Sequence, residues 1–141
     1  MAGDRSISIL LVDDSSTMLS IVRNLLRQIG FENVDEATCG FTALEMLAAK
    51  EYHLVISDWN MDPLTGFELL RRVRTIPRHL HLPFIIMTSE GSSENVIAAK
   101  VAGVNGYIIK PFTGQNLKQK IDYLFNEKPA QISRGDKIVA C

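Results

Sequence analysis

Residues 7–14 read ISILLVDD, a nearly continuous apolar run that ends in two aspartates. Three further strong runs follow it along the chain: Leu54-Val55-Ile56, Phe84-Ile85-Ile86-Met87 and Tyr107-Ile108-Ile109. A fifth, weaker strand fits residues 33–37. The strong runs are rich in β-branched residues and do not alternate with polar ones. That pattern is typical of strands that are covered on both faces, as in a parallel sheet.

Apolar residues at helical spacing lie between and after these runs. The five sets are Met18, Val22, Leu25 and Ile29; Leu44, Leu47 and Ala48; Phe67, Leu70 and Val73; Val96, Ala99 and Gly103; and Leu117, Ile121 and Leu124. Gly30 is predicted to stop the first helix. Thr65 and Glu68 form a capping-box pattern before the third, and Thr113 is the expected cap of the fifth. A strand followed by a helix five times predicts an α/β fold with helices on both faces of a parallel sheet.

The chain has 141 residues, which fits one domain. The strand and helix pattern ends near Glu127, so we predict a folded domain over residues 1–127 and a flexible C-terminal tail over residues 128–141. The tail is too short for an output domain.

Composition narrows the class of protein. Lys and Arg number 15 against 16 for Asp and Glu, and this near balance argues against nucleic acid as a partner. Cys39 and Cys141 are too few for a disulfide framework, which favours a reducing compartment. The first apolar run is too short for a signal peptide, and no run approaches the length of a membrane span. We therefore expect a cytoplasmic protein with no membrane partner.

Polar residues end four of the predicted strands. Asp13 and Asp14 follow the first, Asp58 the third, Thr88 the fourth and Lys110 the fifth. In an open α/β sheet these ends meet at one rim, where ligands bind. One such residue alone is usually a helix cap, a strand-end hydroxyl or a surface lysine, but the joint pattern is rare by chance.

Three carboxylates this close repel one another unless a cation joins them, and oxygen ligands with room for water suit Mg²⁺. A lysine and a threonine beside that ion suit a phosphoryl group. A carboxylate can itself be the nucleophile, which gives an aspartyl phosphate.

Other sites lack their motifs. The sequence contains neither G-x-G-x-x-G after the first strand nor G-x-x-x-x-G-K-[ST], so a dinucleotide cofactor and a P-loop are not expected. His53, His79 and His81 lack the grouping of metal ligands.

Three segments resemble the response-regulator receiver family, in particular its stand-alone chemotaxis subgroup: LVDDSSTM at 11–18, ISDWNM at 56–61 and GYIIKPF at 106–112. The likeness runs from about Ile7 to Phe125. It implies a doubly wound (βα)5 flavodoxin-like fold, with the five-stranded parallel sheet in the order 2-1-3-4-5.

The resemblance also implies the roles of the site residues. Asp58 is implied to accept a phosphoryl group from a phosphohistidine on a chemotaxis-type histidine kinase. Asp14, Asp58 and the backbone carbonyl of Asn60 are implied to hold Mg²⁺, with Asp13 acting mainly through a water. Lys110 and Thr88 are implied to contact the phosphoryl oxygens, after which Tyr107 moves inward. The Lys110–Pro111 peptide is implied to be cis. Asn60 and Glu90 are implied to tune the lifetime of the phosphorylated state. A surface that binds a partner protein is implied to contain Val96, Lys100, Tyr107 and Lys120.

The sequence departs from the family in the loop after Asp58. Asp62 stands where a proline is usual, Pro63 follows one residue late, and Thr65 replaces the usual Asp before Gly66. We expect a loop of different shape there. Lys100 stands where the chemotaxis subgroup has small residues, so the partner can differ.

Three functions stay open at this point. The first is a monomeric, phosphorylation-controlled binding protein in motility control, with a flagellar motor switch protein and a phosphatase as further partners. The second is a phosphate sink, or a receiver in stress or development. The third is a phosphatase with an aspartate nucleophile, which is disfavoured because Asn60 stands where its general acid is needed. We therefore expect no enzyme beyond self-assisted phosphotransfer and dephosphorylation.

Overall fold

The computed structural model describes residues 5–89 and 91–126. The five strands of this part are β1 Ile9–Val12, β2 Val34–Ala37, β3 Leu54–Asp58, β4 Phe84–Thr88 and β5 Gly106–Ile109. Its five α-helices are α1 Ser16–Gln28, α2 Gly40–Ala49, α3 Gly66–Arg74, α4 Ser93–Ala102 and α5 Gly114–Asn126. A short 3₁₀ turn covers Pro77–His79. No helix of the described part has the length and apolar character that a membrane crossing requires. The predicted tail, 128–141, lies outside the described residues.

The strands form one parallel sheet in the order β2-β1-β3-β4-β5, which confirms the predicted fold class. In the register of the central strands, Val12 lies beside Ser57 and Asp58 beside Met87. The carboxyl ends of β1, β3 and β4 therefore lie side by side, and the residues just past them share one rim.

Two apolar cores cover the two faces of the sheet. Leu10 and Val12 pack with residues of α2, α3 and α4, while Ile9 and Leu11 pack with residues of α1 and α5. Successive side chains of a strand point to opposite faces, so a strand covered on both sides is apolar at every position. This explains why the sequence runs are continuous, and the four residues of β1 are all fully buried.

The helix ends follow from specific side chains. Thr65 and Glu68 form the predicted capping box at α3, with Oγ1 of Thr65 accepting from the backbone N–H of Glu68 at 3.1 Å. Thr113 and Asn116 make the corresponding reciprocal pair at α5. The prediction that Gly103 lies within α4 was wrong. Its φ of 100° is left-handed, so the helix ends at Ala102 and Gly103 caps it.

Candidate functional site

A cluster of three carboxylates lies at the rim predicted from the strand ends. Asp13 and Asp14 follow β1 and Asp58 ends β3, and oxygens of the three lie within 4.8 Å of one another. Asp13 and Asp58 are 1% and 5% exposed, whereas Asp14 is exposed to solvent. Parallel pairing of β1 with β3 is what brings together residues more than forty positions apart.

Asp13 is the electrostatically costly member of this cluster. Its Oδ1 accepts a hydrogen bond from the backbone N–H of Ser15 at 2.9 Å, but its buried Oδ2 has no partner among the described residues. Burial raises the pKa of Asp13 to about 6, and the charges of Asp58 and Asp14 add to the rise against the opposing effects of the Ser15 N–H and Lys110. A buried carboxylate with an unpartnered oxygen is stabilised by a bound cation.

Lys110 supplies one positive charge to the rim. Its Nζ lies 2.9 Å from Oδ1 of Asp58, and its backbone N–H donates to the carbonyl of Thr88 at 2.7 Å. The Lys110–Pro111 peptide is cis, as the resemblance implies.

Thr88 and Tyr107 lie on adjacent strands and are both buried, at 1% and 6% exposed. The ring of Tyr107 meets that of Trp59 edge to face, with centroids 6.3 Å apart. Tyr107 was predicted to be part of an outer partner surface, but in this structure it packs in the core formed with α2, α3 and α4.

The loop after Asp58 is held by contacts that the sequence did not indicate. The backbone N–H of Gly66 donates to the carbonyl of Trp59 at 2.9 Å, and a Cβ at Gly66 would collide with the carbonyl of Asp58. Phe67 stacks on Trp59, with centroids 5.3 Å apart. The loop in which the sequence departs from the family pattern contains a second cis peptide, Asp62–Pro63.

The remaining predicted residues lie around this centre. Asn60 is exposed in the loop after β3, and Glu90 lies outside the described residues. On the predicted partner surface, Lys100 is exposed, and Val96 and Lys120 are half-buried. The sequence reasoning missed four exposed apolar side chains on this side, at Ile97, Val101, Ile109 and Tyr123. The spacing of Ile97 and Val101, one helical turn apart, was the available signal.

The donor set suits a hard divalent cation. Three carboxylates converge, one of them exposed, and Asp13 keeps a buried oxygen with no described partner. Mg²⁺ takes oxygen ligands and retains waters, for which the exposed side of the cluster leaves room. Asp13, Asp14 and Asp58 would hold such an ion.

Comparison with known proteins agrees with this geometry. The family model of the response regulator receiver domain matches residues 9–122. The chain belongs to this family. The receiver domain is 48% identical over 122 residues to the chemotaxis protein CheY-3 of Vibrio cholerae, covering 86% of this chain and 94% of the relative. It is 50% identical over 117 residues to the chemotaxis protein CheY of Pseudomonas aeruginosa, covering 83% and 94%.

Solved structures give the same result for the fold. Chemotaxis protein CheY4 of Vibrio cholerae superposes with a TM-score of 0.80 at 31% identity, covering 85% of this receiver domain and 99% of that chain. The receiver domain of a sensor histidine kinase of Pseudomonas aeruginosa gives a TM-score of 0.75 at 25% identity, covering 85% and 97%. That structure has a magnesium ion coordinated in its active-site cleft. The protein is thus a two-component signalling module.

Proposed function

We propose that this receiver domain is a single-domain response regulator that is phosphorylated on Asp58 and signals by a change in protein binding. One observation supports this most: the buried carboxylate of Asp58 lies both within the acidic cluster and 2.9 Å from the ammonium of Lys110. A carboxylate so placed has the ammonium of Lys110 beside it, and a cation held by the acidic cluster would add a second positive charge to offset that of an incoming phosphoryl group.

The proposed reaction is an exchange of one bond for another. A carboxylate oxygen of Asp58 attacks the phosphorus of a phosphohistidine on a kinase, the P–O bond forms, and the P–N bond breaks as the imidazole leaves. Asp13, Asp14, Asp58 and the backbone carbonyl of Asn60 would hold Mg²⁺, whose charge offsets that of the phosphoryl oxygens. Later attack by water on the phosphorus breaks the P–O bond to Asp58, which releases inorganic phosphate and returns Asp58 to the carboxylate.

In the proposed switch, Lys110 and Thr88 bind the phosphoryl oxygens. Thr88 lies on the strand next to β3, and the backbone N–H of Lys110 bonds to its carbonyl. Tyr107 is buried in this structure, so phosphorylation acts by raising the population of a conformation that the chain already adopts. Asn60 and Glu90 are proposed to tune the lifetime of the phosphorylated state.

The kinase is proposed to approach over α1. An apolar groove of about 360 Å³ is lined by Met18, Ile21, Leu25, Ser89, Lys110, Pro111 and Phe112. It ends at Lys110, next to the phosphoacceptor, so a helix bearing a phosphohistidine could pack there within reach of Asp58. The chemotaxis relatives favour a chemotaxis-type kinase.

The output partner is proposed to bind across α4, β5 and α5. This face carries the exposed side chains Ile97, Val101, Ile109 and Tyr123, with Lys100 beside them. Exposed apolar residues grouped with a basic one suit an amphipathic helix of a partner. The likeness to chemotaxis proteins makes a flagellar motor switch protein the proposed partner.

The phosphoacceptor is tested by the fluorescence of Trp59, the only tryptophan and the neighbour of Asp58. Mg²⁺ followed by acetyl phosphate or beryllofluoride should change the emission of the wild type, and mass spectrometry should find one phosphoryl group on Asp58 with acetyl phosphate. Asp58→Asn should abolish both results, whereas the exposed Glu45→Gln should retain them. A response of Asp58→Asn equal to that of the wild type would exclude Asp58 as the acceptor.

The proposed partner is tested separately, by measuring binding of a motor switch protein with and without beryllofluoride. Tighter binding of the activated form, lost in Ile97→Ser but retained in Glu45→Gln, supports motor control. Equal affinity of the two forms contradicts motor control and favours a phosphate sink.

A further inference from the structure

Helix α3 carries two arginines that stack on aromatic rings at the outer surface. The guanidinium of Arg71 lies 5.9 Å from the ring centre of Phe67, and that of Arg72 lies 5.4 Å from the ring centre of Phe41 on α2. Both arginines are exposed, and Phe41 is 43% exposed. We call this set of four residues the α2–α3 face.

The two arginines are not used in ion pairs within the described part of the chain. Arg5 and Arg23 each lie within 4.0 Å of a carboxylate there, but neither Arg71 nor Arg72 does. Near the carboxyl end of α3, their positive charges interact favourably with the helix dipole and so stabilise the helix. That effect requires no aromatic ring beneath the charge.

Stacking orders a guanidinium without using its hydrogen-bond donors. The attraction is between the positive charge and the face of the ring, so the N–H groups of the guanidinium remain able to bind a carboxylate with two bonds. Arg71 and Arg72 also line a surface groove of about 300 Å³, together with Glu68 and Thr75. Arginine beside aromatic rings is the composition enriched in the energetic centres of protein interfaces.

We propose that the α2–α3 face binds an acidic helical segment of a partner protein. Carboxylates of that segment would pair with Arg71 and Arg72, and an apolar residue would cover the exposed ring of Phe41. Nucleic acid is disfavoured because the chain has a net charge of -1 and a polyanion requires a broad basic surface. This face is separate from the proposed output surface on α4, β5 and α5, and we expect the unphosphorylated chain to bind there.

Occupancy of this face should be detectable at Trp59. Phe67 stacks on Trp59 at an interplanar angle of 12°, so a partner that shifts Phe67 changes the surroundings of the indole. The same stack links the face to the residue next to Asp58, because Trp59 follows it directly.

The test uses the full unphosphorylated chain and a synthetic amphipathic peptide of about four helical turns, with glutamates along one face and leucines along the other. Amide NMR shifts should map to residues 41 and 67–72, and Trp59 emission should change. Arg71→Gln with Arg72→Gln should weaken binding about tenfold, because each variant removes one exposed ion pair with the peptide and exposed pairs contribute modestly. The matched control is Arg27→Gln, at an exposed arginine that makes no ion pair within the described residues, and it should bind as the wild type does.

Four outcomes would overturn the proposal, the last of them obtained with a control peptide. In the first, the double variant and Arg27→Gln bind the peptide equally. In the second, the shifts map to α4 and α5. In the third, a short DNA duplex or phosphatidylglycerol vesicles bind the α2–α3 face more tightly than the peptide does. A peptide with glutamine in place of glutamate should bind weakly, and equal affinity for it would also contradict the proposed pairing.

Discussion

At the scale of single residues, the charge of Asp13 is the one in the site that burial destabilises. It is 1% exposed, and Oδ2 has no partner among the described residues. A carboxyl whose pKa rises from 3.8 to about 6 on folding destabilises the charged folded state by roughly 3 kcal/mol. The same feature that favours a cation therefore weakens the fold when no cation is bound.

Asp13→Asn should stabilise the metal-free protein. We expect a gain of roughly 1–3 kcal/mol at about pH 7.5, because the amide keeps the shape and removes the buried charge. The folded chain binds the proton of Asp13 more tightly than the unfolded chain does, so the contribution of Asp13 to wild-type stability falls as pH rises from 3.8 to about 6. Urea unfolding should show the gain of the variant shrinking toward about pH 4. Asp14→Asn, at an exposed position, is the control and should change the metal-free stability much less. An equal gain in both variants would show that burial at position 13 is not the cause.

At the scale of elements, β3 and α3 approach so closely that only glycine fits between them. At Gly66 a Cβ would collide with the carbonyl of Asp58 and lie 3.1 Å from Oγ of Ser57. The sequence predicted the capping box of Thr65 and Glu68, since capping is a local pattern. It did not predict the function of Gly66, which depends on a backbone in another element.

Gly66→Ala should destabilise the fold and slow phosphorylation. We expect a loss of about 1–3 kcal/mol in urea unfolding, the usual cost of overpacking, together with a lower rate of phosphorylation by acetyl phosphate, because the carbonyl that must move belongs to Asp58. Gly114→Ala is the matched control, since its nearest neighbour would be 3.6 Å away at a side-chain methyl of Leu25. If both variants lost the same stability, the close approach of β3 and α3 at Gly66 would not be the cause of the loss.

The side chain of Arg74 connects α3 to the residues that follow α4. Arg74 donates to the carbonyl of Gly103 at 2.8 Å, to the carbonyl of His79 at 2.8 Å and to Oδ1 of Asn105 at 2.9 Å. Oδ1 of Asn105 also accepts from the backbone N–H of Phe84 at 2.9 Å. The connection from α4 to β5 is therefore held by a charged group with several acceptors.

Arg74→Met should cost about 2–3 kcal/mol in urea unfolding, because hydrogen bonds to charged groups contribute about 1.5–3 kcal/mol and their acceptors would lose a partner. Hydrogen exchange should accelerate around residues 103–106 before it does elsewhere. Arg27→Met removes an exposed arginine from α1 and should leave both measurements nearly unchanged. A similar loss of stability in the two variants would mean that removal of a positive charge is the cause, and not removal of the hydrogen bonds of Arg74.

At the scale of the whole molecule, the sequence predicts the elements better than their arrangement. The apolar runs predicted four of the five strands, because covered parallel strands are apolar at every position. The fifth, β2, reads VDEA and is a weaker prediction because its two middle residues are charged. The order of those strands came from family resemblance, since repeated strand-helix units are compatible with several orders. Burial of Tyr107 and stacking of Arg72 on Phe41 join distant elements, and no local pattern carries that information. The site was predictable because its residues end strands that meet at one rim.

The gain in folding stability that Mg²⁺ gives the whole chain should depend on pH. A Mg²⁺ ion held by the folded state alone would stabilise it by RT ln(1 + [Mg²⁺]/Kd), and it would compete with the proton that Asp13 holds up to about pH 6. The stabilisation by Mg²⁺ should therefore grow as pH rises through about 6 and then level off.

A second group, His79, sets the behaviour at acidic pH. Burial lowers the pKa of His79, the charges of Arg78 and Arg74 lower it further, and Nδ1 of His79 is buried with no partner in the described part.

The unfolded chain binds the proton of His79 more tightly than the folded chain, so stability should fall as pH drops below 6.5. His79→Gln should reduce that fall in the presence of Mg²⁺ and leave the growth of the magnesium effect unchanged, because the two groups act independently. Thermal unfolding across this pH range, with and without Mg²⁺, measures both. An equal magnesium effect at about pH 5 and about pH 7.5 would mean that the cation does not compete with the proton on Asp13.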